Sequence, residues 1–360
     1  MDPTRAALGK SGHIRGFDGL RAFSILFVVL THYGLYAHLP EGAFVRQRLW
    51  HLCSGVTGVN IFFALSGFLI TRLLLQEMDR KGRIDLKRFY IRRFLRLTPP
   101  FVLFFVLLGV LVLLGLTKVR PASVAMAFFY LYNYIPHAWV SGRLSHTWSL
   151  AVEEQFYLFW PFLMTRLARR SLLRTASLSI MIAVAAAYLL PLIVLSHNGH
   201  AYPLPVLFNL DHWFFPAAGP IMVGALTSVV TRVHPERVAR WTSTPWCLGV
   251  AAVLFAVPLY LPFVLFPLVP VIQALGVSLL LLRILERQHS PLTQVLELKP
   301  LAYIGKISYG IYIYHVLIIS TGPSGALLPF PWSLLVILAL AIASYELYER
   351  PILRLKDRFH

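Results

Sequence analysis

The segment FDGLRAFSILFVVLTHYG (17–34) combines an apolar run with an aspartate, an arginine and a histidine. It is close to the ~20 apolar residues that cross a bilayer, which predicts a membrane-spanning helix near 17–37. Ionisable side chains are costly in a bilayer and face a cavity or a partner, so Asp18, Arg21 and His32 are candidates for a functional site. The alternative is structural: Arg21 snorkels to the interface and His32 bonds a neighbouring helix.

The spacing within this segment places its polar side chains on one face. At about 100° per residue, the interval from Arg21 to His32 is three turns plus roughly 20°. The two residues then lie about 16 Å apart along the helix axis. Asp18 is three residues before Arg21, and we expect the two to pair.

The composition is that of a polytopic membrane protein. Of 360 residues, 58% are hydrophobic and 13% charged, and the mean hydropathy is +0.68, whereas soluble domains contain about 45–50% apolar and 25% charged residues. The net charge of the chain is +18. Lys and Arg accumulate in the cytoplasmic loops of membrane proteins, which accounts for this charge, so we expect no nucleic-acid partner. We expect no removable signal peptide at the N-terminus. Cys53 and Cys247 are predicted near opposite membrane faces, too far apart for a disulfide.

The apolar segments predict an all-α bundle of about ten transmembrane helices that forms a single domain over 1–360. Segment 121–135 is apolar but short, and could be an eleventh span or an interfacial segment. With ten spans, 26 of the 33 Lys and Arg residues fall on one side and 5 in loops on the other. This asymmetry predicts that both termini are cytoplasmic and that 121–135 lies outside. The predicted spans are 17–37, 55–75, 97–117, 148–166, 176–196, 211–231, 245–264, 266–284, 301–321 and 330–349.

The segment DRKGRIDLKRFYIRRFLRLTPPF (79–101) carries the densest positive charge. Arg88, Arg92 and Arg96 recur every four residues, and a helix is predicted to begin at the Pro-Pro pair. Guanidinium groups match phosphate oxygens, so one interpretation is a phosphate clamp. The alternative is a positive-inside loop that binds anionic lipid headgroups.

Two carboxylates lie inside a predicted span in SHTWSLAVEEQFYLFWP (145–161). Glu153 and Glu154 are one to two turns from its start, a depth at which paired acids are rarely structural. We expect one of them to face His32. The alternative is that they neutralise an arginine or hold a helix break.

Further candidates lie near the C-terminus. His315 falls within YIGKISYGIYIYHVLII (303–319), where the tyrosine run is more typical of helix packing than of substrate binding. Glu349, in SYELYERP, is expected at the inner end of the last span. There it would neutralise the arginine stripe.

Six motifs, in this order, resemble the acyltransferase-3 family of integral membrane O-acyltransferases. The resemblance covers almost the whole chain. It rests on GLRAFSILFVVLTHY, GVNIFFALSGFLIT, FYIRRFLRLTPPF, HTWSLAVEEQFYLFWP, ISYGIYIYH and YERP.

The resemblance implies roles for individual residues. Arg21 and His32 match the family's Arg-x10-His motif, whose histidine is thought to be catalytic. Arg92 and Arg96 match an Arg-x3-Arg motif linked to the acyl-CoA donor. The paired glutamates match a Glu-Glu motif that follows Trp148.

The resemblance also implies a reaction and a location. Family members transfer acyl groups, often acetyl from acetyl-CoA, to hydroxyls of surface glycans such as lipopolysaccharide, of peptidoglycan or of macrolide antibiotics, and a lipid-linked acceptor fits the same chemistry. We expect a bacterial cytoplasmic (inner) membrane enzyme with acyl-CoA as co-substrate, no permanently bound cofactor and no metal. Many glycan-modifying members also carry a C-terminal extracytoplasmic hydrolase-like domain, which we do not expect here.

Together these patterns suggest a mechanism. Arg88, Arg92 and Arg96 would hold the coenzyme A nucleotide, and Arg21 would line the route to His32. His32 would act as general base, oriented by Glu153 or Glu154, or would itself be transiently acylated. Two other classes fit intramembrane ionisable residues: a proton-coupled transporter of a small anionic solute and a lipid-binding scaffold. The chain shows no inverted repeat to support the transporter.

Overall fold

The computed structural model describes residues 14–34, 52–167, 169–196, 210–261, 263–319 and 326–355. Within these ranges the chain forms helices and turns, with one isolated bridge between Ile319 and Ala326, which confirms the all-α prediction. In chain order the α-helices are α1 Phe17–His32, α2 Gly55–Lys81, α3 Leu86–Leu113, α4 Pro121–Phe128, α5 Thr147–Arg166, α6 Arg169–Ser196, α7 Gly219–Val233, α8 Pro235–Ser243, α9 Trp246–Ala256, α10 Val269–Glu286, α11 Pro291–Leu296, α12 Lys299–Lys306, α13 Ser308–Ile318, α14 Trp332–Ala343 and α15 Arg350–Leu355. Shorter helical turns lie at Tyr132–Tyr134, His137–Trp139, Leu210–His212, Phe214–Ala217, Val257–Leu259 and Phe263–Leu268, and a π-helical turn lies at Ser344–Glu349.

Several helices are long and apolar enough to cross a membrane. Among the described residues five helices meet this requirement, and two bent helix pairs bring the number to seven if each pair is one span. The pairs are α8 with α9, bent by 85°, and α12 with α13, bent by 69°. The predicted number of ten spans thus stays a prediction. Residues 35–37 of the first predicted span, residues 320–321 of the ninth and both chain termini lie outside the described ranges.

Two sequence predictions about helix boundaries were wrong. The helix expected to begin at Pro99 and Pro100 begins at Leu86, because the Asp85 carboxylate accepts a hydrogen bond from the Arg88 amide (3.0 Å) and caps it there. The expected span at 301–321 is interrupted, because α12 and α13 meet at a bend.

For segment 121–135 the sequence allows an eleventh span or an interfacial segment, and the charge asymmetry favours a position outside. There α4 has eight residues, which is about 12 Å of helix and too short to cross a bilayer. A 3-10 turn at Tyr132–Tyr134 follows it. The segment is therefore not a transmembrane helix.

Helix α2 lies at the centre of the bundle. In its apolar window 72% of the residues are buried, against 17–44% for the other candidate spans. It packs on α1, α7, α10 and α5. The crossing with α7 is a backbone contact, because a Cβ at Gly67 would lie 1.9 Å from the Ile221 carbonyl oxygen and a Cβ at Gly224 would lie 2.0 Å from that of Ala64. Small residues allow such close approach between apolar helices.

The short helix α13 is held at its C-terminal end by an arginine from the loop before α5. Arg143 is 1% exposed, and its Nη1 donates to the carbonyl oxygens of Val316 and Leu317, both at 3.0 Å. These carbonyls belong to the last turn of α13, where a cation is favourable. Arg143 therefore fixes the position of the helix that carries His315.

Replacing Gly224 by valine should destabilise the protein, because the new side chain cannot fit against the α2 backbone. We expect a loss of at least about 1–3 kcal/mol, the usual cost of overpacking, visible as a lower melting temperature of the purified protein in detergent. Gly109→Val is the matched control, because a Cβ at Gly109 meets nothing within 4 Å. Equal melting temperatures for the two variants would contradict the backbone contact.

Replacing Arg143 by methionine should also destabilise the protein. It keeps a long apolar side chain but leaves two buried carbonyls without their donor, at a cost of about 1–3 kcal/mol. Arg143→Lys, which retains one charged donor, should lose less. Thermal unfolding of the three proteins in one detergent checks the order, and a methionine variant as stable as the parent would exclude the capping role.

Candidate active site

Two histidine rings meet where α1 ends. His32 is the last residue of α1, and its Nδ1 lies 2.6 Å from Nε2 of His315 on α13. The two rings meet edge to edge and are nearly coplanar, with centroids 4.7 Å apart and planes 14° from parallel. His32 is half-buried and His315 fully buried.

A third histidine lies beside this pair. His146, the residue that precedes α5, is 3% exposed, and its ring is T-shaped against that of His315, with centroids 5.7 Å apart. Neither of its ring nitrogens has a hydrogen-bond partner within the described ranges. The three histidines come from α1, α13 and the start of α5. We call them the histidine cluster.

Glu153 is held by groups other than His32. Ser66 Oγ donates to Glu153 Oε1 at 2.5 Å, and the Tyr157 hydroxyl donates to the same oxygen. Arg93 Nη2 lies 3.8 Å from that oxygen, and its guanidinium lies 3.6 Å from the Tyr157 ring centroid. The imidazole of His32 has a histidine, not a glutamate, at Nδ1. The orienting role expected for Glu153 or Glu154 therefore has no support from the contact at that nitrogen.

Glu154 belongs to a polar group that includes two tyrosines. It is half-buried and within electrostatic range of Arg93, Tyr130 and Tyr309. Burial, and to a smaller extent the carboxylates of Glu154 and Glu153, raises the pKa of Tyr130. Its phenol thus stays neutral and able to donate a hydrogen bond. Tyr130 is also the one non-glycine residue with positive φ (56°) among the described residues, a conformation that functional sites often hold.

Near the start of α1 the predicted ion pair is present. Arg21 Nη1 lies 2.5 Å from Asp18 Oδ1. The backbone of this turn contacts α12 directly, since a Cβ at Gly305 would lie 1.7 Å from the Asp18 carbonyl oxygen. The turn that carries Arg21 is therefore fixed by a backbone contact.

The three arginines of the predicted stripe lie in different surroundings. Arg88 pairs with Asp85 (3.3 Å) at the exposed start of α3, and Arg92 pairs with Glu77 (3.4 Å) on α2. Arg96 is exposed, yet it lies within electrostatic range of Arg21, Arg93 and Asp18. A step of four residues turns the helix by about 40°, so eight residues turn it by about 80°. Of the three, Arg96 is the one within electrostatic range of Arg21, and we call the partly exposed group of Arg21, Arg93 and Arg96 the recess.

Asp18, His315, Trp148 and Glu349 are the residues expected to support the site, and of the last two Trp148 is half-buried and Glu349 is buried. The Trp148 indole stacks on His212 with centroids 3.8 Å apart and planes 1° from parallel. Glu349 is 7% exposed, accepts a hydrogen bond from Ser344 Oγ (2.8 Å) and lies within electrostatic range of Arg96. Glu349 thus contributes negative charge beside the recess.

Reasoning from the sequence missed three residues of the site: Arg93, Tyr130 and His146. Arg93 directly follows Arg92, and one residue turns a helix by about 100°. Arg93 therefore lies on a different face of α3, the one toward Glu153 of α5. His146 was visible as a histidine at the start of a span.

No group of three His, Cys, Asp or Glu residues in the described part of the chain could hold a metal ion. The arrangement places the His32 imidazole at the end of α1 and the arginines of the recess near its start.

Curated proteins similar to this chain include several that are named as O-acetyltransferases. Peptidoglycan O-acetyltransferase OatA of Listeria monocytogenes is 29% identical over 330 residues, covering 86% of this chain and 50% of OatA. A provisionally named O-acetyltransferase of Staphylococcus aureus (strain COL) is 29% identical over 340 residues, covering 86% of this chain and 51% of its own. YrhL of Bacillus subtilis, provisionally named a peptidoglycan O-acetyltransferase, is 28% identical over 371 residues, covering 94% and 55%. This chain thus spans about half the length of these relatives.

A family comparison covers nearly the whole chain. No solved structure matches. The model of the acyltransferase-3 family, described as an acyltransferase domain, matches residues 14–345, a range that includes every residue of the histidine cluster and of the recess. These matches give no support to a transporter. The chain belongs to the acyltransferase-3 family.

Proposed function

We propose that this protein is a membrane-bound O-acyltransferase that moves an acyl group, in the first place acetyl, from acyl-CoA to a hydroxyl of a glycan or a lipid-linked saccharide. The observation that carries the proposal is the pair of sites on one helix. His32 ends α1 beside a buried histidine partner, and Arg21 lies near its start beside Arg96. The similarity to O-acetyltransferases supports the reaction class.

The chemistry requires one base and one leaving group. Nε2 of His32 accepts the proton of the acceptor hydroxyl as the hydroxyl oxygen attacks the thioester carbonyl. The new ester bond forms, the carbon–sulfur bond breaks, and the coenzyme A thiolate takes the proton from the imidazolium. General base catalysis of this kind contributes about 10²–10⁴-fold in rate.

The recess supplies the donor site in this proposal. Coenzyme A carries phosphates at its nucleotide end, and guanidinium groups bind phosphate oxygens well. Arg96 and Arg21 contribute this charge directly. Arg92, paired with Glu77, and Arg88, paired with Asp85, contribute to the field around the opening. Acyl-CoA is a co-substrate here, and no permanently bound cofactor takes part.

The same proposal assigns orientation and acceptor class. The basic α2–α3 turn would face the cytoplasm, where acyl-CoA is available, with about ten spans and both termini on the cytoplasmic side of a bacterial inner membrane. The acceptor would reach His32 from the opposite side. Two of the relatives are named for peptidoglycan, so a hydroxyl-bearing glycan is the preferred acceptor, ahead of a lipid or an antibiotic.

His32→Ala should abolish acyl transfer and leave donor binding intact, because the base is removed far from the recess. We expect turnover to fall by about 10²–10⁴-fold, measured as transfer of labelled acetyl from acetyl-CoA to cell-wall or lipid-linked glycans by mass spectrometry. His289→Ala, at an exposed position, is the matched control. Turnover within a few-fold of the parent protein would remove His32 from the catalytic role.

Arg96→Ala should raise KM for acetyl-CoA and change kcat little, because the side chain binds the donor rather than the reacting atoms. One lost charge-assisted hydrogen bond corresponds to about 10–100-fold in affinity. Arg92→Ala should have a smaller effect because Arg92 already pairs with Glu77. Arg237→Ala, an exposed arginine on α8, controls for the loss of one positive charge. Equal coenzyme A affinity in the Arg96 and Arg237 variants would exclude the phosphate clamp.

A further inference from the structure

The buried side of the histidine cluster contains a hydrogen-bond chain with a defined direction. His315 Nδ1 lies 2.6 Å from the carbonyl oxygen of Tyr312, one turn earlier on α13. A backbone carbonyl only accepts hydrogen bonds. The proton between these two atoms therefore belongs to His315 Nδ1, which sets the first link of the chain.

The second link follows from the protonation state of His315. A neutral imidazole with a proton on Nδ1 has a lone pair on Nε2. That nitrogen is 2.6 Å from His32 Nδ1, so His32 must be the donor. His32 then carries its proton on Nδ1, and its own Nε2 holds a free lone pair.

The surroundings of His315 favour its neutral form. The residue is 0% exposed, and burying an unpaired charge is costly. Among the described residues, the titratable groups that act on His315 are His32 and His146, and both oppose a positive charge there. A doubly protonated His315 would instead donate to His32 Nδ1 and place the proton of His32 on Nε2, where no base would remain.

The position of His315 is itself fixed. Arg143 binds the end of α13, and the Tyr312 hydroxyl lies 2.5 Å from Ser149 Oγ and donates to the His146 carbonyl oxygen at 3.1 Å. Helix α13 is thereby tied to the start of α5 on the side that faces the cluster. The Tyr312 carbonyl is thus held in place by a rigid support.

We propose that His315 is a positioning residue: through the Tyr312 carbonyl it holds His32 in the tautomer with Nδ1 protonated, and so leaves Nε2 as the base. The inference rests on the proposed function, in which His32 accepts the hydroxyl proton. When His32 becomes an imidazolium, its Nδ1–H still donates to the neutral Nε2 of His315. A neutral imidazole thus takes the place that an acid holds in a serine hydrolase triad.

The activity test compares two substitutions. His315→Leu removes the acceptor, and we expect kcat to fall by about 10²–10⁴-fold, the range in which general base catalysis and its orientation operate, with KM for acetyl-CoA unchanged. His315→Gln can present a carbonyl oxygen to His32 Nδ1, and should recover at least about tenfold of the lost kcat. Equal kcat values for the leucine and glutamine variants, or a leucine variant as active as the parent, would overturn the positioning role.

The spectroscopic test needs no turnover. In ¹⁵N-histidine-labelled protein, the resonances lost in His32→Ala identify His32, and their shifts distinguish a protonated from an unprotonated ring nitrogen. We expect a protonated Nδ1 and an unprotonated Nε2 in the parent protein and a tautomer mixture in His315→Leu. The opposite tautomer in the parent would overturn the inference even if His315→Leu does not fold.

The two tests separate this inference from the function on which it rests. A parent protein that shows the expected tautomer but transfers no acyl group from acetyl-CoA would refute the proposed function. A parent protein that transfers acetyl, with the opposite tautomer at His32, would refute the positioning role alone. Coenzyme A binding and melting temperature of each variant confirm that the fold is retained.

Discussion

Inside an apolar bundle, polar groups must find their partners within the protein, and this constraint organises the structure around α1. Asp18 and Arg21 pair with each other, and His32 pairs with a histidine from α13. The neighbouring helices bring their own polar groups into the same interior: Arg93 from α3 meets Glu153 from α5. A functional site and a structural requirement thus share the same side chains. Removing a partner at one position leaves an unpaired group at another.

Part of this arrangement follows from the sequence, because it depends on spacing along one helix. The Asp18–Arg21 ion pair and the shared face of Arg21 and His32 need only the helical period, and the ion pair is present. The apolar composition was sufficient to predict an all-helical membrane protein. The order of the six motifs was sufficient to predict the family. Each of these conclusions uses information that is local in the chain or summed over it.

The rest of the candidate site depends on where the helices begin and how they pack on one another. The spacing of residues along the sequence does not determine either. The arginine stripe separates because α3 begins at Leu86, so that Arg92 turns toward Glu77 and Arg96 toward the recess. The partner of His32 lies 283 residues away in the chain. Carboxylates are the usual partners of a catalytic imidazole, and the sequence offers two glutamates inside a predicted span. Only the packing of α13 against α1 shows that a histidine occupies that place.

The bend between α12 and α13 has a consequence for the size of the ligand. Helix α12 contacts α1 through its backbone at Asp18, and α13 contacts the opposite end of α1 at His32. The bent pair therefore contacts α1 near both of its ends. The separation of about 16 Å along the helix axis between Arg21 and His32 is set by the helical rise of the main chain. On the proposed mechanism this distance selects donors by the separation between their anionic group and their reactive carbon. A molecule whose anionic group and reactive carbon are much closer together than this could occupy one end but not both.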